Sequence, residues 1–467
     1  MTADSGVQHL LLVTGRLAEP ALRQVVDGLN ASRPEVQCQV AVLPISVAAL
    51  MHAEWVRRKL PPPVGVDKVV LPGWCQGDVA QLAEDWGVPV QLGPKDLQDL
   101  PEFFGRPPGP PPDLSKYDIE ILAEINHAPR LSHGELMARC EEFRRQGADL
   151  IDLGCIPGES WLGVKAAVRS LRKAGFRISI DSFDRTEVES AVAAGAELVL
   201  SCNQSNIAWA ADLPAELVAI PDNPHDLVGL EETVQQLSER GTKFRIDAIL
   251  EPIGFGFAAS LGRYLEVRRR WPEHALMMGI GNVTELTEVD SAGINMLLAG
   301  FCQEQRIHSV LTTSVIPWCR TAVQEFDIAR RICAHAVRHN VLPKRVDPRL
   351  VMLRDPRVRE LGPEALHQLA NQLKDPNYRI LVEQGELHIM NRDGYHHGTD
   401  PFALFEKLGT LDASHAFYIG YELSKAATAL ALGKRYRQDE ALDWGFLTVP
   451  EISRKHREGL KDEAAGP

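Results

Sequence analysis

Apolar residues along the chain gather in short runs, and between the runs they recur at helical spacing. The rhythm is most regular in the middle. Apolar runs at 119–125, 150–153, 177–180, 197–201, 217–220, 244–250, 275–278 and 309–311 read as strands. Amphipathic stretches at 133–146, 162–174, 185–194, 227–240, 259–270, 292–303 and 321–339 read as helices between them. Eight such strands over about 225 residues have the number and length of a (β/α)8 barrel. Gly147-Ala148-Asp149-Leu150 and Gly195-Ala196-Glu197-Leu198 repeat one junction, a helix-ending glycine ahead of a new strand.

The same alternation is shorter at the amino end. Runs at 10–14, 38–43, 68–71 and 88–92 alternate with helical stretches at 20–29 and 47–59, as in a small Rossmann-like parallel sheet over residues 1–105. Gly15, Gly73 and Gly93 follow strands, but no G-x-G-x-x-G stands there, so they read as tight strand-to-helix turns. Residues 106–114 carry Pro107, Pro108, Pro110, Pro111 and Pro112 and read as a stiff linker into a barrel at 115–342. The last part, 343–467, is expected to be an α+β domain. It has a hairpin at 378–389 around Gln384-Gly385, a polar loop, a long helix at 413–432 ending at Gly433, and a frayed tail from Arg454. The fold class is therefore α/β, a central barrel flanked by two smaller units.

Composition narrows the function classes. The chain has 63 acidic and 50 basic residues and a net charge of −13, which disfavours nucleic acid and anionic lipid as partners. No apolar run approaches the ~18–20 residues of a bilayer span, and the run at Leu10-Leu11-Leu12-Val13 is too short for a signal-peptide core. The eight cysteines form no C-x-x-C pair and read as reduced thiols of a cytoplasmic protein.

Barrel chemistry sits at the carboxyl ends of the strands. Polar residues fall there on nearly every strand: Asn126, Asp152, Asp181, Asn203, Asp222 with Asn223, Asp247 with Glu251, Asn282, and Thr312-Thr313-Ser314. Helix capping explains two or three of these, not the whole ring. The ring is acids and amides with few cations, so it suits a flat nitrogen heterocycle such as a pterin better than a sugar phosphate. Glu285, Glu288 and Asp290 read as helix amino-terminal charges. Asp393–Asp400, with His396 and His397, reads as a polar turn rather than a metal site, and His415 lies further on.

The order of these segments resembles the dihydropteroate synthase family. The resemblance rests on Ile125-Asn126, the run 147–154, Ile178-Ser179-Ile180-Asp181-Ser182, the run 195–199, and Leu250-Glu251-Pro252-Ile253-Gly254-Phe255-Gly256. With the flanking units it is similar to the dihydropteroate synthase-like proteins associated with tetrahydromethanopterin-type cofactors. The resemblance implies that Asn126, Asp181 and Glu251 are catalytic. It further implies that a reduced pterin, as substrate or ligand, is held by Asp152, Asp181, Asn203, Asp247, Glu251, Gly279, Asn282 and Thr313. Asn126 would contact Mg²⁺ beside a diphosphate. The implied reaction condenses a hydroxymethyl-dihydropterin diphosphate with an aryl amine in folate-like cofactor synthesis, in a homodimeric transferase.

Departures from the family point to alternatives. The synthase cations after strands 7 and 8 are replaced by Gly279-Ile280-Gly281-Asn282-Val283-Thr284-Glu285 and Leu311-Thr312-Thr313-Ser314. The strand 2 loop is Cys155-Ile156-Pro157-Gly158-Glu159-Ser160 rather than the synthase type. Arg130, Arg263 and Arg320 are the candidates to supply positive charge instead. Gly281-Asn282-Val283 resembles the strand 7 segment of pterin-dependent methyltransferases, so one-carbon transfer and a non-catalytic pterin-binding scaffold both stay open.

Overall fold

The computed structural model describes residues 7–32, 35–105, 111–355, 361–409 and 411–451. Most of the expected linker (106–110) and the whole expected tail (454–467) lie outside the described residues. The chain divides into two compact units, Met1–Pro111 and Pro112–Pro467.

In the first unit, strands β1 (Gln8–Gly15), β2 (Val36–Leu43), β3 (Lys68–Leu71) and β4 (Val90–Leu92) form a parallel sheet in the order β2-β1-β3-β4. Alternation sends Leu11, Val13, Val69 and Leu71 to one apolar layer and Leu10, Leu12 and Val70 to the other, so both faces are covered.

The second unit is built on eight parallel strands. They are β5 (Glu120–Ile125), β6 (Leu150–Gly154), β7 (Ile178–Asp181), β8 (Leu198–Cys202), β9 (Glu216–Ala219), β10 (Phe244–Ile246), β11 (Met277–Gly279) and β12 (Ser309–Thr312). Neighbours run β10-β9-β8-β7-β6-β5-β12-β11, and a parallel bridge between Ile246 and Leu276 joins the two ends. The sheet is thus a closed (β/α)8 barrel. Helices His133–Gln146 and Arg185–Ala194 end on Gly147 and Gly195 in the left-handed conformation (φ 105° and 110°), at the two repeated junctions. Expected strand 6 is shorter than its apolar run: β10 stops at Ile246, and residues 247–251 leave the ladder.

Period-2 alternation fills the barrel in layers. At the amino ends of the strands Arg245 pairs with Glu120 (2.9 Å) and Glu216 (3.0 Å), and Arg177 bridges Glu120 and Glu197 (2.5 Å each). Above this plug Leu122, Leu150, Leu198, Leu200, Val218 and Met277 pack together in the lumen. The outward residues of the same strands join the helices in one large apolar cluster, which includes Ile121, Ala123, Ile151 and Leu153.

The carboxyl-terminal part carries an antiparallel sheet of β13 (Arg379–Glu383), β14 (Glu386–Asn391) and β15 (Gly394–Gly398), backed by helix Ala413–Leu432. Strand β15 replaces the expected polar turn at 393–400. Ladder pairing of Tyr395 with Met390 and His397 with His388 outweighs its turn-like composition. His396 and His397 therefore alternate across a strand, and His397 binds Glu386 (2.7 Å). Among the described residues no helix is long and apolar enough to cross a membrane, and all eight cysteines are free.

The plug yields a stability test. Removing the Arg245 guanidinium takes the buried partner from both acids and leaves Glu120 only Arg177 and Glu216 only the exposed Lys243 (3.4 Å), so Arg245→Ala is expected to cost about 3 kcal/mol in urea unfolding. A cost below about 1 kcal/mol would mean that the pairs behave as exposed surface bridges.

Candidate functional site

The lumen opens at the carboxyl ends of the strands into a cavity of about 390 Å³. Its acidic lining is Glu124, Asp181, Asp247 and Glu285, with Asn126, Asn282 and Thr313 as further polar groups. Met277, Val218, Leu311 and Ile220 form an apolar floor beneath them. No Lys, Arg or His is among the described residues lining it.

Strand register explains the convergence. Glu124 lies opposite Asp152 on the neighbouring strand, and Asp152 opposite Ser179. All three share the inward parity that begins at Glu120 and passes through Leu122. Asp152 is fully buried beneath the mouth. Its Oδ1 accepts from the Ser179 hydroxyl (2.5 Å), and its Oδ2 has no partner among the described residues. Burial, with the charges of Asp181 and Glu124 beside it, pushes the Asp152 carboxyl well above the usual range. Burial also raises Asp181, against a hydrogen bond from Ser201 (3.1 Å). Glu124 is pushed up to about 7 by burial and by the charges of Asp181 and Glu285. Burial lifts Asp247 to about 6, opposed by donors from Tyr264 (2.5 Å), Ile249 (2.8 Å) and the Gly279 backbone.

These shifts give the site mixed protonation near neutrality. An acid that keeps its proton donates a hydrogen bond, whereas an ionised neighbour accepts. Together they can read a ligand edge that presents both N–H groups and acceptor atoms.

Backbone strain collects at the same rim. His127 (φ 53°), Ser201 (φ 67°) and Ile249 (φ 60°) are left-handed without being glycine, and each sits at or just beyond a barrel strand's carboxyl end. At Ser201 the β8–β9 register slips between Val199 and Cys202, an irregularity that accompanies its hydroxyl's contact with Asp181. The loop carrying Ile249 is pinned by Asn282 Nδ2 to the Leu250 carbonyl (3.0 Å) and by Arg263 to the Ile249 carbonyl (3.2 Å).

The structure brings Asn126, Asp181, Asp247, Gly279, Asn282 and Thr313 together on the cavity wall, with Asp152 buried below. Two expected residues are elsewhere. Asn203 is spent within its own turn, where its Oδ1 accepts from the Ser205 backbone and hydroxyl. Glu251 does not line the cavity: it is bound by Arg263 (2.6 Å) and by His225. Against the burial that would raise it, these partners hold the Glu251 carboxyl below the usual range. Asp247 is thus the sixth-strand acid that reaches the lumen.

The candidate cations do not line the cavity either. Arg263 is the partner of Glu251, Arg130 faces Glu159 (3.5 Å), and Arg320 is exposed at the end of a short helical turn. Glu124, Ser201 and Glu285 were not singled out as cavity residues from sequence. For Glu124 a signal existed, the shared parity with Glu120 and Leu122. Glu285, expected as a helix amino-terminal charge, instead ends the short helix Gly281–Glu285 and lines the cavity, where it accepts from Thr313 (2.8 Å).

Around the mouth the strand-to-helix loops expose large apolar side chains, including Phe183, Leu286, Ile253 (61% exposed) and Phe255 (73%).

Comparison with known proteins adds little chemistry. Residues 8–95 match a family of unknown function, DUF6513. An uncharacterized protein of Methanocaldococcus jannaschii, MJ0107, is 29% identical over 365 residues, 69% of each chain. Among solved structures, the dihydropteroate synthase of Thermus thermophilus in complex with 4-aminobenzoate has 18% identity and a TM-score of 0.36, covering 48% of this chain and 95% of that one. The Yersinia pestis dihydropteroate synthase with a sulfonamide drug complex has 16% identity and a TM-score of 0.39, covering 49% and 96%. The barrel assignment stands on the strand order and the Ile246–Leu276 bridge.

The raised acids predict a pH dependence. Above its ordinary value near 4.5 the unfolded chain releases the Glu124 proton, whereas the folded barrel keeps it to about 7. The fold therefore binds more protons across that window and loses stability as pH rises through it. Glu124→Gln should flatten this part of the profile and raise the unfolding midpoint by a few degrees, about 2–6 °C, at pH 8. A variant profile parallel to that of the unaltered protein would show that Glu124 titrates normally.

Proposed function

We propose that the barrel is a dihydropteroate synthase-like enzyme that holds a reduced pterin in the acid-lined cavity and joins its methylene carbon to an aryl amine. The observation that carries this reading is the convergence of four carboxylates on a cavity with no Lys, Arg or His among the described residues lining it, with Asp152 buried beneath. A pterin offers an amino-pyrimidine edge with N–H donors beside ring nitrogens and a carbonyl. Ionised Asp181 would accept two N–H groups, while Glu124 in its protonated form would donate to an acceptor. The apolar floor would take the ring face, and the exposed Phe183 and Phe255 would suit an aryl co-substrate at the mouth. The order of motifs from Asn126 to Glu251 supports the same reading. In the reaction, the amine nitrogen forms a bond to the methylene carbon as the carbon–oxygen bond to diphosphate breaks, and the amine proton passes to solvent. The chain's own contribution would be positioning. In this reading the product belongs to the synthesis of a tetrahydromethanopterin- or folate-type cofactor.

Magnesium fits only together with a phosphorylated ligand. Thr313 Oγ1 stands 3.1 Å from Asn126 Oδ1 and 2.8 Å from Glu285 Oε1, a small set of hard oxygen donors. Among the described residues no group of three His, Cys, Asp or Glu side chains could hold a metal alone. The metal's chemistry there would be neutralisation of diphosphate charge.

A second reading follows from the absence of Lys, Arg and His among the described residues that line the cavity. A diphosphate leaving group gains most from nearby cations, so the same pocket is compatible with a pterin-dependent one-carbon transferase or a non-catalytic pterin-binding protein.

Titration calorimetry with 6-hydroxymethyl-dihydropterin and its diphosphate, with and without Mg²⁺, separates these readings. Tighter binding of the diphosphate with Mg²⁺ is expected for the synthase, and equal binding of both forms favours the second reading. Asp181→Asn should weaken pterin binding by about 30- to 100-fold, because the amide sets a donor against a ligand donor. Unchanged affinity would remove Asp181 from the pterin site.

A further inference from the structure

The amino-terminal unit has a cavity of its own, about 360 Å³, at the carboxyl edge of its sheet. Strand β1 has β2 on one side and β3 on the other, so the chain reverses its winding direction between β1 and β3. In open parallel sheets a crevice opens at that point, and ligands bind there. Thr14 at the end of β1 and Leu71, Pro72 and Gly73 at the end of β3 line this cavity.

Its walls are mostly apolar, with Leu12, Leu22, Val70 and Leu100 at the base. A buried polar side chain lines it: Thr14 is 4% exposed. At the mouth the Trp74 indole is half exposed, and the Lys95 ammonium lies 4.5 Å from its ring centroid. Lys95 pairs with no carboxylate among the described residues. The loops bearing these two side chains touch at Gly73, where a Cβ would fall 2.5 Å from the Gly93 carbonyl oxygen and from Pro94. Only glycine permits that approach, which brings an aromatic plate and a cation to one rim.

We infer that this cavity binds a small planar aromatic acid. Its ring would lie in the apolar crevice beside Trp74, its carboxylate would meet Lys95, and a ring substituent or carboxylate oxygen would meet the Thr14 hydroxyl. A nucleotide is disfavoured. The helix after β1, Glu19–Ser32, opens on an acidic residue where a phosphate would sit, and no glycine-rich phosphate loop precedes it. A cavity of this size suits a compact ligand. The inference is independent of the barrel's activity.

Titration calorimetry of the full-length protein with 1-naphthoate and with uncharged 1-naphthylmethanol tests it. One saturable site is expected, with the acid bound about tenfold more tightly than the alcohol. Lys95→Met should abolish that difference and leave the alcohol's affinity and the thermal midpoint unchanged. Trp74→Ala, at a half-exposed position, should weaken both ligands by about tenfold. Three outcomes would overturn the inference. They are no saturable binding below about 5 mM, equal affinity for acid and alcohol, or binding that both variants leave intact while Asp247→Asn in the barrel removes it.

Discussion

Removal of carboxylates from water is the constraint on which the barrel's chemistry depends. Eight strands in register give every inward side chain a fixed layer. The lower layer meets its acids with Arg177 and Arg245, and the middle layer is apolar. The upper layer gathers Glu124, Asp152, Asp181 and Asp247 with no cation among the described residues of its lining. The same physics therefore has opposite results at the two ends of the lumen. At the bottom, paired charges close the barrel. At the top, burial without counter-charge raises the carboxyls and leaves some of them protonated near neutrality.

That contrast distinguishes a site from a scaffold. A structural acid is met by a partner, as Glu251 is by Arg263 and His225. Asp152 keeps one oxygen unpartnered in the interior, and Ser201 and Ile249 hold unfavourable backbone conformations beside the same space. Both features cost stability, and neither is needed to close a barrel. They concentrate where a ligand rich in N–H donors would find acceptors and a few donors already arranged.

The two units repeat one arrangement at different scale. Each has parallel strands whose carboxyl ends open on a cavity, one walled by acids and the other mostly apolar with Lys95 at its rim. Different ligand chemistry follows from what the loops carry rather than from the sheet beneath.

Much of this was legible in the residues alone. Strand and helix periodicities are local, because they depend on which side chains face one way within a turn or a pleat, and eight repeats of that pattern determine a barrel. The ring of polar strand ends, including Asn126, Asp181, Asp247 and Asn282, follows from the same alternation. Other features depended on neighbours distant in sequence. Glu124 lay inside an apolar run, and only closure of the sheet set it against Asp152 and Glu285. Glu251 satisfied the motif, yet the early end of β10 carried it to Arg263, and Asp247 took the lumen. Strand β15 looked like a turn until β14 offered it a ladder. Periodicity specifies which way a side chain points. Whether it is desolvated, paired or left with its proton is decided by the partners that the tertiary fold brings to it.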